Sequence, residues 1–361
     1  MDNFGDLIVT VNVDAASKTA VFSKKNKSNM SFLRHISKFG TDRMSQHIWD
    51  TMSSIAVDAY RFTMEELSAT LFFMSMAMDR GTKVKKCYFN NNQLSLQLQN
   101  SICLLIPKIK YVHWACCTFD QLFFESLRES FEMSGNSVSI ESIGVNACKL
   151  SEEQQIDYFR CAKYVQKLAI QGEKVTHNSL KVLSDEIYQL KLKKSQSAKI
   201  DYISLRACAL NDECLEEVSK FAPFIKSLTI DISDKKPYIK GEGISSLSKA
   251  IRRAITQPFL LDACLENLSF TFAVEQQLVI DKLKMCLPYM KSVSLNRVGP
   301  DLKYELHSYL NYVTEAIRDS GSATRLRTLK VKQEHVVECR KRIEKLVDAD
   351  GNKFDIKVEA L

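Results

Sequence analysis

A histidine and two cysteines lie close together in the sequence and are the residue types that could support covalent catalysis. His113 is followed by Trp114, and Cys116 and Cys117 come just after. A cysteine thiolate activated by a nearby histidine is a common enzyme nucleophile. However, neighbouring side chains of a β-strand point to opposite faces, and the surrounding pattern predicts a strand here. We therefore expect Trp114 and Cys117 to pack in a core, His113 to point away from them, and no catalysis at this pair.

Other chemical motifs are missing from the sequence. It contains no phosphate-binding loop, dinucleotide-binding glycine pattern, nucleophile elbow, zinc-protease motif or calcium-binding loop. The six histidines are scattered, and the eleven cysteines form no C-x-x-C pair. Zinc sites need closely spaced ligands of these types. We therefore expect no enzymatic activity, no cofactor and no metal site.

The elements that would position any functional residue are indicated by a repeated phrase, P-x-φ-K-x-φ-x-φ, where φ is apolar. Three copies begin at Pro107, Pro223 and Pro288, and they use half of the six prolines of the chain. A fourth copy has Lys163 in place of the proline and Gln166 in place of the lysine. A fixed phrase that returns along the chain indicates an array of structural repeats.

A second phrase, φ-x-x-φ-x-φ, alternates with the first. The last apolar residue of each second phrase is followed, always 25 residues later, by the last apolar residue of the next first phrase. From a first phrase to the next second phrase, the corresponding spacing varies between 31 and 40 residues. Four copies of the two phrases continue into an Asn or Cys and a further apolar residue. The last apolar residues of the nine copies are Phe89, Trp114, Val145, Ile170, Leu205, Ile230, Phe270, Leu295 and Val331.

Together the phrases resemble the leucine-rich repeat, L-x-x-L-x-L-x-x-(N/C)-x-L, of the ribonuclease-inhibitor-like type. The Asn or Cys position is kept in four of the nine copies, as Asn92, Cys117, Cys148 and Cys208. The resemblance implies an α/β solenoid with parallel strands on the concave face and helices on the convex face. The alternation of short and long repeats, with Cys161-Ala162-Lys163 before Val165, is also similar to the FTH repeat region of F-box-associated proteins.

The domain organisation follows from where the phrases begin. Residues 1–29 are predicted to form a hairpin and linker, residues 30–80 a helical region that could include two divergent repeats, and residues 81–361 the array of about nine repeats. A fainter first phrase lies at Met52, Ile55 and Val57, and Met30 with Phe32 is a weak match to the second. A last strand is expected from Phe354 to Val358.

The composition of the chain limits the partners and the cellular location that we expect. The net charge of +7 is mildly basic, and runs such as Lys83-Lys85-Lys86 are more typical of solvated faces than of nucleic-acid sites. No apolar stretch is long enough for a membrane span, and the acidic start does not resemble a signal peptide. Because cysteines fall on interior repeat positions, we expect reduced thiols and a cytoplasmic or nuclear location.

The strand register predicts a binding surface. Side chains between the apolar positions of each phrase should face away from the core, onto the surface where solenoids bind partners. Tyr and Arg are the usual anchors of interfaces, and they concentrate in the first half of the array. The predicted partner-binding residues are Lys86, Tyr88, Tyr111, His113, Lys167, Gln171, Tyr202 and Arg206.

Three functions remain open on the sequence alone. The leading expectation is a non-enzymatic intracellular scaffold that binds another protein. A second is a substrate-recognition subunit of a cullin-type ubiquitin ligase, since Ala209-Leu210-x-x-x-Cys214-x-x-x-Val218 resembles an elongin-binding box. The third is a nucleic-acid-binding module that uses the basic part of the predicted surface.

Overall fold

The structure is a computed structural model of the 361-residue chain. It describes residues 13–14, 19–39, 52–90, 94–192, 200–232, 239, 241–256, 265–273, 281–298, 311, 313–319, 324–347, 351 and 353–361. Contacts between residues divide the chain into two compact units, Met1–Gln166 (unit 1) and Lys167–Leu361 (unit 2). The domain boundaries expected after residues 29 and 80 stay predictions.

Unit 1 alternates strands with helices. Strand β1 is antiparallel to β2, and β2 to β6 are parallel to their neighbours in chain order. The strands are β1 (Val13–Asp14), β2 (Thr19–Ser23), β3 (Ser54–Tyr60), β4 (Lys83–Asn90), β5 (Tyr111–Ala115) and β6 (Ser142–Asn146). The helices are α1 (Lys27–Phe39), α2 (Met64–Asp79), α3 (Leu96–Leu105), α4 (Phe123–Ser134) and α5 (Glu152–Arg160).

Unit 2 continues the same alternation, and its described strands pair in parallel with their neighbours. The strands are β7 (Lys167–Gln171), β8 (Tyr202–Arg206), β9 (Ser227–Ile232), β10 (Asn267–Ala273), β11 (Ser292–Val298), β12 (Thr328–Val331) and β13 (Lys357–Ala360). The helices are α6 (His177–Leu192), α7 (Asp212–Phe221), α8 (Glu242–Thr256) and α9 (Val336–Ile343). Parallel strands alternating with helices confirm the predicted α/β, leucine-rich-repeat-like class.

The core lies between the strands and the helices. The apolar residues of the phrases point into it: Phe89, Trp114 and Val145 are each at most 1% exposed. The Trp114 ring packs edge-on against Phe123 of α4, with ring centroids 5.6 Å apart. Side chains at the alternate strand positions must point away from the helices. We call that side of each sheet the open face.

The proline of the first phrase ends a helix, as predicted. Pro107, Pro223 and Pro288 are each the second residue of a one-turn 3₁₀ helix that leads into the next strand. Proline fits there because its missing N–H would have no helical partner. The lysine of the phrase has a structural role in two copies, where Lys110 pairs with Glu141 at 2.8 Å and Lys291 with Glu266 at 2.5 Å.

The cysteine of the repeat turns inward after the strand. Cys117, Cys148 and Cys208 are buried. Each Sγ donates to a carbonyl oxygen near the end of the strand of the preceding repeat, at 3.4, 3.7 and 3.4 Å respectively. The bonds link successive repeats, as the Asn or Cys of the consensus predicts.

Three predictions made from the sequence concern described residues near the two ends of the chain and can be compared with the structure. The fainter phrase at Met52, Ile55 and Val57 is confirmed as the region of β3. The match at Met30 and Phe32 is wrong, because both lie in α1, where Phe32 packs on Phe73 with centroids 5.2 Å apart. The expected strand 354–358 is shifted to Lys357–Ala360, since pairing with β12 places Lys357 opposite Thr328.

Candidate functional site

A pair of stacked rings, Tyr88 from β4 and His113 from β5, lies on the open face of unit 1. The register places the two residues directly opposite one another. Their ring centroids lie 5.1 Å apart and their planes differ by 11°. Both side chains are half-buried. Two rings that hold each other in place form a flat surface that loses little conformational entropy when a partner covers it.

The neighbours of the stack are polar on one side and small on the other. Asn90 Nδ2 donates to the Tyr88 hydroxyl at 3.4 Å, and the exposed Asp58 lies opposite Tyr88 on β3. Gly144 lies opposite His113 on β6 and adds no side chain beside the imidazole. The stack is therefore bordered by a carboxylate at β3 and by bare backbone at β6.

Burial and charge keep both rings neutral. Burial lowers the pKa of His113, and the positive charge of Lys86 lowers it further. Burial raises the pKa of Tyr88, and the carboxylate of Asp58 adds to this effect. A histidine with a pKa below its ordinary value of about 6.5 is uncharged at neutral pH. The pair is thus suited to stacking and hydrogen bonding rather than to ion pairing.

Tyr111 occupies the neighbouring position of the open face and is held in place by its own contacts. It lies opposite Lys86, and its hydroxyl donates to Glu141 Oε2 at 2.7 Å. Lys110 pairs with the same carboxylate and lies 5.3 Å from the centre of the Tyr111 ring. The hydrogen bond with Glu141 raises the pKa of Lys110. Tyr111 therefore presents a fixed ring edge, with its hydroxyl already engaged.

The other four predicted residues lie in unit 2, on the open face of β7 and β8. Lys167 pairs with Tyr202 and Gln171 with Arg206 across the two strands. Lys167, Gln171 and Arg206 are exposed, whereas Tyr202 is half-buried and its hydroxyl lies 3.1 Å from Thr229 Oγ1. The eight predicted residues thus form two groups of four, one in each unit: Lys86, Tyr88, Tyr111 and His113, and Lys167, Gln171, Tyr202 and Arg206.

The geometry of the described residues does not pair the Cys117 thiol with His113. Cys117 is buried, and its Sγ donates to the carbonyl oxygens of Phe89 and Ala115. His113 lies on the open face against Tyr88. Cys116 is exposed and has a left-handed backbone, with φ of 52°. A base must reach its nucleophile within hydrogen-bonding distance, and the Cys117 thiol is directed instead to backbone carbonyls.

The sequence prediction missed residues that β3 adds to the open face of unit 1. Asp58 pairs with Tyr88 and Tyr60 with Asn90, and both are exposed. The Arg61 guanidinium lies 5.1 Å from the Tyr60 ring centre, close enough for a cation–π contact. The signal was present in the fainter phrase at Met52, Ile55 and Val57, because Asp58 directly follows its last apolar residue.

The segment that resembles an elongin-binding box lies in the core of unit 2. Leu210, Cys214 and Val218 are 1%, 3% and 0% exposed. Cys214 Sγ donates to the Val175 carbonyl oxygen at 3.8 Å. Side chains that dock on a separate protein must be accessible to it, and these three instead pack inside their own unit.

Neither a metal-binding cluster nor a membrane-spanning helix is present in the described part of the chain. Its His, Cys, Asp and Glu side chains do not come together in groups of three that could hold a metal ion. None of its helices combines the length and the apolar character needed to cross a lipid bilayer.

No protein-family model matches the chain, and no curated protein is similar to it in sequence.

Proposed function

We propose that this protein is a non-enzymatic interaction scaffold that binds another protein on the open face of unit 1. The observation that carries the proposal is the Tyr88–His113 stack. Tyrosine is enriched at interface hot spots because it offers a large, rigid contact area with a polar end. A stacked, half-buried pair on an otherwise polar strand face has these properties before any partner binds.

The charges around the stack favour a protein as the partner. Lys86 is exposed on one strand, and Asp58 is exposed on the neighbouring strand. Nucleic-acid sites are dominated by positive charge, because phosphate contacts supply most of the affinity. A surface with one carboxylate beside the aromatic pair is better matched to a partner that carries both signs of charge. Binding of RNA or DNA at this surface is the alternative outcome of the test below.

We also infer membership of the ribonuclease-inhibitor-like type of leucine-rich repeat. Two features support this finer assignment. α-Helices follow the strands of the repeats, and the inward cysteine links successive repeats through its carbonyl contact. The ten described cysteines are free thiols, and nine of them are buried, which fits a reducing compartment such as the cytoplasm or nucleus.

The proposal is tested by affinity purification from cells with mass spectrometry. The test variant is Tyr88→Ala with His113→Ala, which removes the stack but leaves the core side chains in place. The matched control is Tyr188→Ala with His177→Ala, which removes the same residue types from an exposed and a half-buried position of α6. Both variants should have wild-type circular dichroism, since the four side chains are not fully buried.

We expect at least one protein to be recovered with the wild type and the α6 control but not with the stack variant. Its binding should then be reproduced with the purified partner. If every protein is retained by the stack variant, the partner binds elsewhere and the proposal is wrong. If the material lost is nucleic acid, removed equally by nuclease treatment, the alternative function holds instead.

A further inference from the structure

A notch opens on the helix side of unit 2, where α7 ends before its two neighbours. Its volume is about 650 Å³. α7 packs between α6 and α8, and it has 10 residues, whereas α6 has 16 and α8 has 15. At a rise of about 1.5 Å per residue, α7 is shorter than its neighbours by about 8 Å. The C-terminal parts of α6 and α8 therefore line a gap that α7 does not fill.

The repeat pattern of the sequence explains why α7 is short. α7 belongs to a 25-residue repeat, and the repeats that carry α6 and α8 are longer. Pro223, from the first phrase, follows α7 in the one-turn 3₁₀ helix that leads to β9. Proline does not continue a helix, because it has no N–H to donate. The alternation of short and long repeats thus leaves a space beyond the end of the short helix.

The floor and two walls of the notch are apolar. Phe224, in the 3₁₀ helix after α7, is 5% exposed, and the Tyr188 ring of α6 lies edge-on to it with centroids 6.2 Å apart. Ala250 and Ala254 line the wall that α8 contributes. Because these two small side chains are neighbours on one helix face, they leave room for a bulky group. An aromatic ring that enters here can make further edge-to-face contacts with the two rings.

The rim of the notch at α8 is positively charged. Arg253 lines the notch, and Lys249 lies one turn earlier on the same side of the helix. Both residues are exposed. Within the described part of the chain, neither side chain forms an ion pair or a hydrogen bond. Like charges four residues apart on a helix repel each other, so an anionic group beside them is favoured.

The remaining charged groups of the lining determine which way a ligand would lie. Lys220, near the end of α7, is already paired with Glu217 at 2.6 Å. Asp185 is exposed on α6, at the rim opposite α8. A carboxylate is therefore attracted to the α8 rim and repelled by the α6 rim.

We propose that the notch docks a segment of a partner protein that carries an aromatic side chain beside acidic residues. The ring fills the space between Tyr188 and Ala254, and the acidic residues pair with Arg253 and Lys249 at the α8 rim. A small carboxylate would pair with one cation only, whereas a peptide segment reaches both cations while its ring covers the floor. The notch lies in unit 2, and its ligand does not depend on the stacked rings of unit 1.

The test is selection of displayed random dodecapeptides on the full-length protein, followed by isothermal titration calorimetry with the enriched peptides. Arg253→Glu reverses the charge of the rim, and Ala250→Trp fills the notch. The matched control is Arg252→Glu, which makes the same change at an exposed position of α8 outside the lining. The second control is Tyr88→Ala with His113→Ala, which removes the stack and keeps the notch.

We expect the enriched peptides to share an aromatic residue next to Asp or Glu. Their affinity should fall about tenfold or more with Arg253→Glu and with Ala250→Trp, and it should be unchanged in both controls. A peptide with Lys in place of the acidic residue should bind Arg253→Glu more tightly than the wild type, since the sign of both charges is then reversed.

The proposal is overturned if no peptide is enriched, if the enriched peptides lack acidic residues, or if Arg252→Glu weakens binding as much as Arg253→Glu. Peptides lost only with the stack variant bind the open face of unit 1 and also count against it. Self-association in sedimentation velocity that Arg253→Glu abolishes would make a second copy of the chain the occupant instead. The Tyr188→Ala, His177→Ala variant lacks one wall of the notch but keeps the stack, so ligands of the two surfaces are distinguished.

Discussion

Replacing Gly243 by alanine should destabilise unit 2, although alanine is normally the better helix residue. Gly243 lies in the first turn of α8, where the backbone passes very close to α7. A Cβ atom at this position would lie 2.4 Å from the Asp212 carbonyl oxygen and 2.6 Å from Leu215 Cβ. Neither atom is the end of a flexible side chain, so the two helices would have to move apart.

The expected change in the free energy of unfolding is the sum of opposing contributions. Alanine gains up to about 1 kcal/mol over glycine in a helix interior. Overpacking of a tight contact costs about 1–3 kcal/mol. Separation of the helices would also strain the hydrogen bond from Gly243 N to Asp212 Oδ1 at 2.9 Å, which is worth about 0.5–1.5 kcal/mol. We therefore expect a net loss of about 1–3 kcal/mol.

Urea unfolding followed by circular dichroism measures this change. The transition midpoint of Gly243→Ala should fall with little change in slope. Ser246→Ala, in the same helix, is the matched control and should leave the midpoint unchanged or raise it slightly. If Gly243→Ala is as stable as the wild type or more stable, the close contact between α7 and α8 is wrong and helix propensity alone decides the outcome.

Three further changes test other parts of the structure. The pKa of His113 is lowered in the folded protein, so the unfolded chain takes up the proton first as the pH falls. The stability of the protein should therefore fall as the pH drops through about 6.5. His113→Gln should flatten this pH dependence, which thermal unfolding at a series of pH values measures. In thiol titration of the folded protein, Cys116→Ser should remove one fast-reacting equivalent, since Cys116 is exposed. Ala207, with φ of 49°, should tolerate glycine with no loss or a gain of about 0–1 kcal/mol, whereas Ala169→Gly in β7 should lose about 0.5–1 kcal/mol in the same assay.

The repeat architecture could be predicted because its signal is local and recurs. Apolar residues two apart mark the strands, and the proline marks the 3₁₀ turn before each strand, so one copy supports the next. The same register indicated that Tyr88 and His113 both point away from the core, and the structure pairs them. The stacking of the two rings did not, because side-chain torsions depend on the neighbours of each ring rather than on the pattern.

Other features of the site needed the three-dimensional structure. The pairing of β3 with β4 shifts by one residue, so that Lys85 has no partner on β3 and forms a β-bulge. The regular alternation of side chains along a strand would wrongly place Lys85 and Lys86 on opposite faces. The mismatch at Met30 and Phe32 arises because a short apolar run is ambiguous. The two residues are spaced as on a strand, but Met30 and Leu33 are spaced as on a helix face, and the segment is helical. Lys85 Nζ donates to Thr19 Oγ1, which is 66 residues away in the sequence, and no local pattern reports such a contact.

The measurement that tests the central claim most directly is the affinity of the recovered partner for three purified forms of the protein: wild type, the Tyr88→Ala, His113→Ala variant, and the Tyr188→Ala, His177→Ala control. The stack variant should bind at least about tenfold more weakly, since hot-spot residues cost about 2 kcal/mol or more when truncated. The control should bind like the wild type. Equal affinity for all three forms would contradict the assignment of the open face of unit 1 as the binding surface.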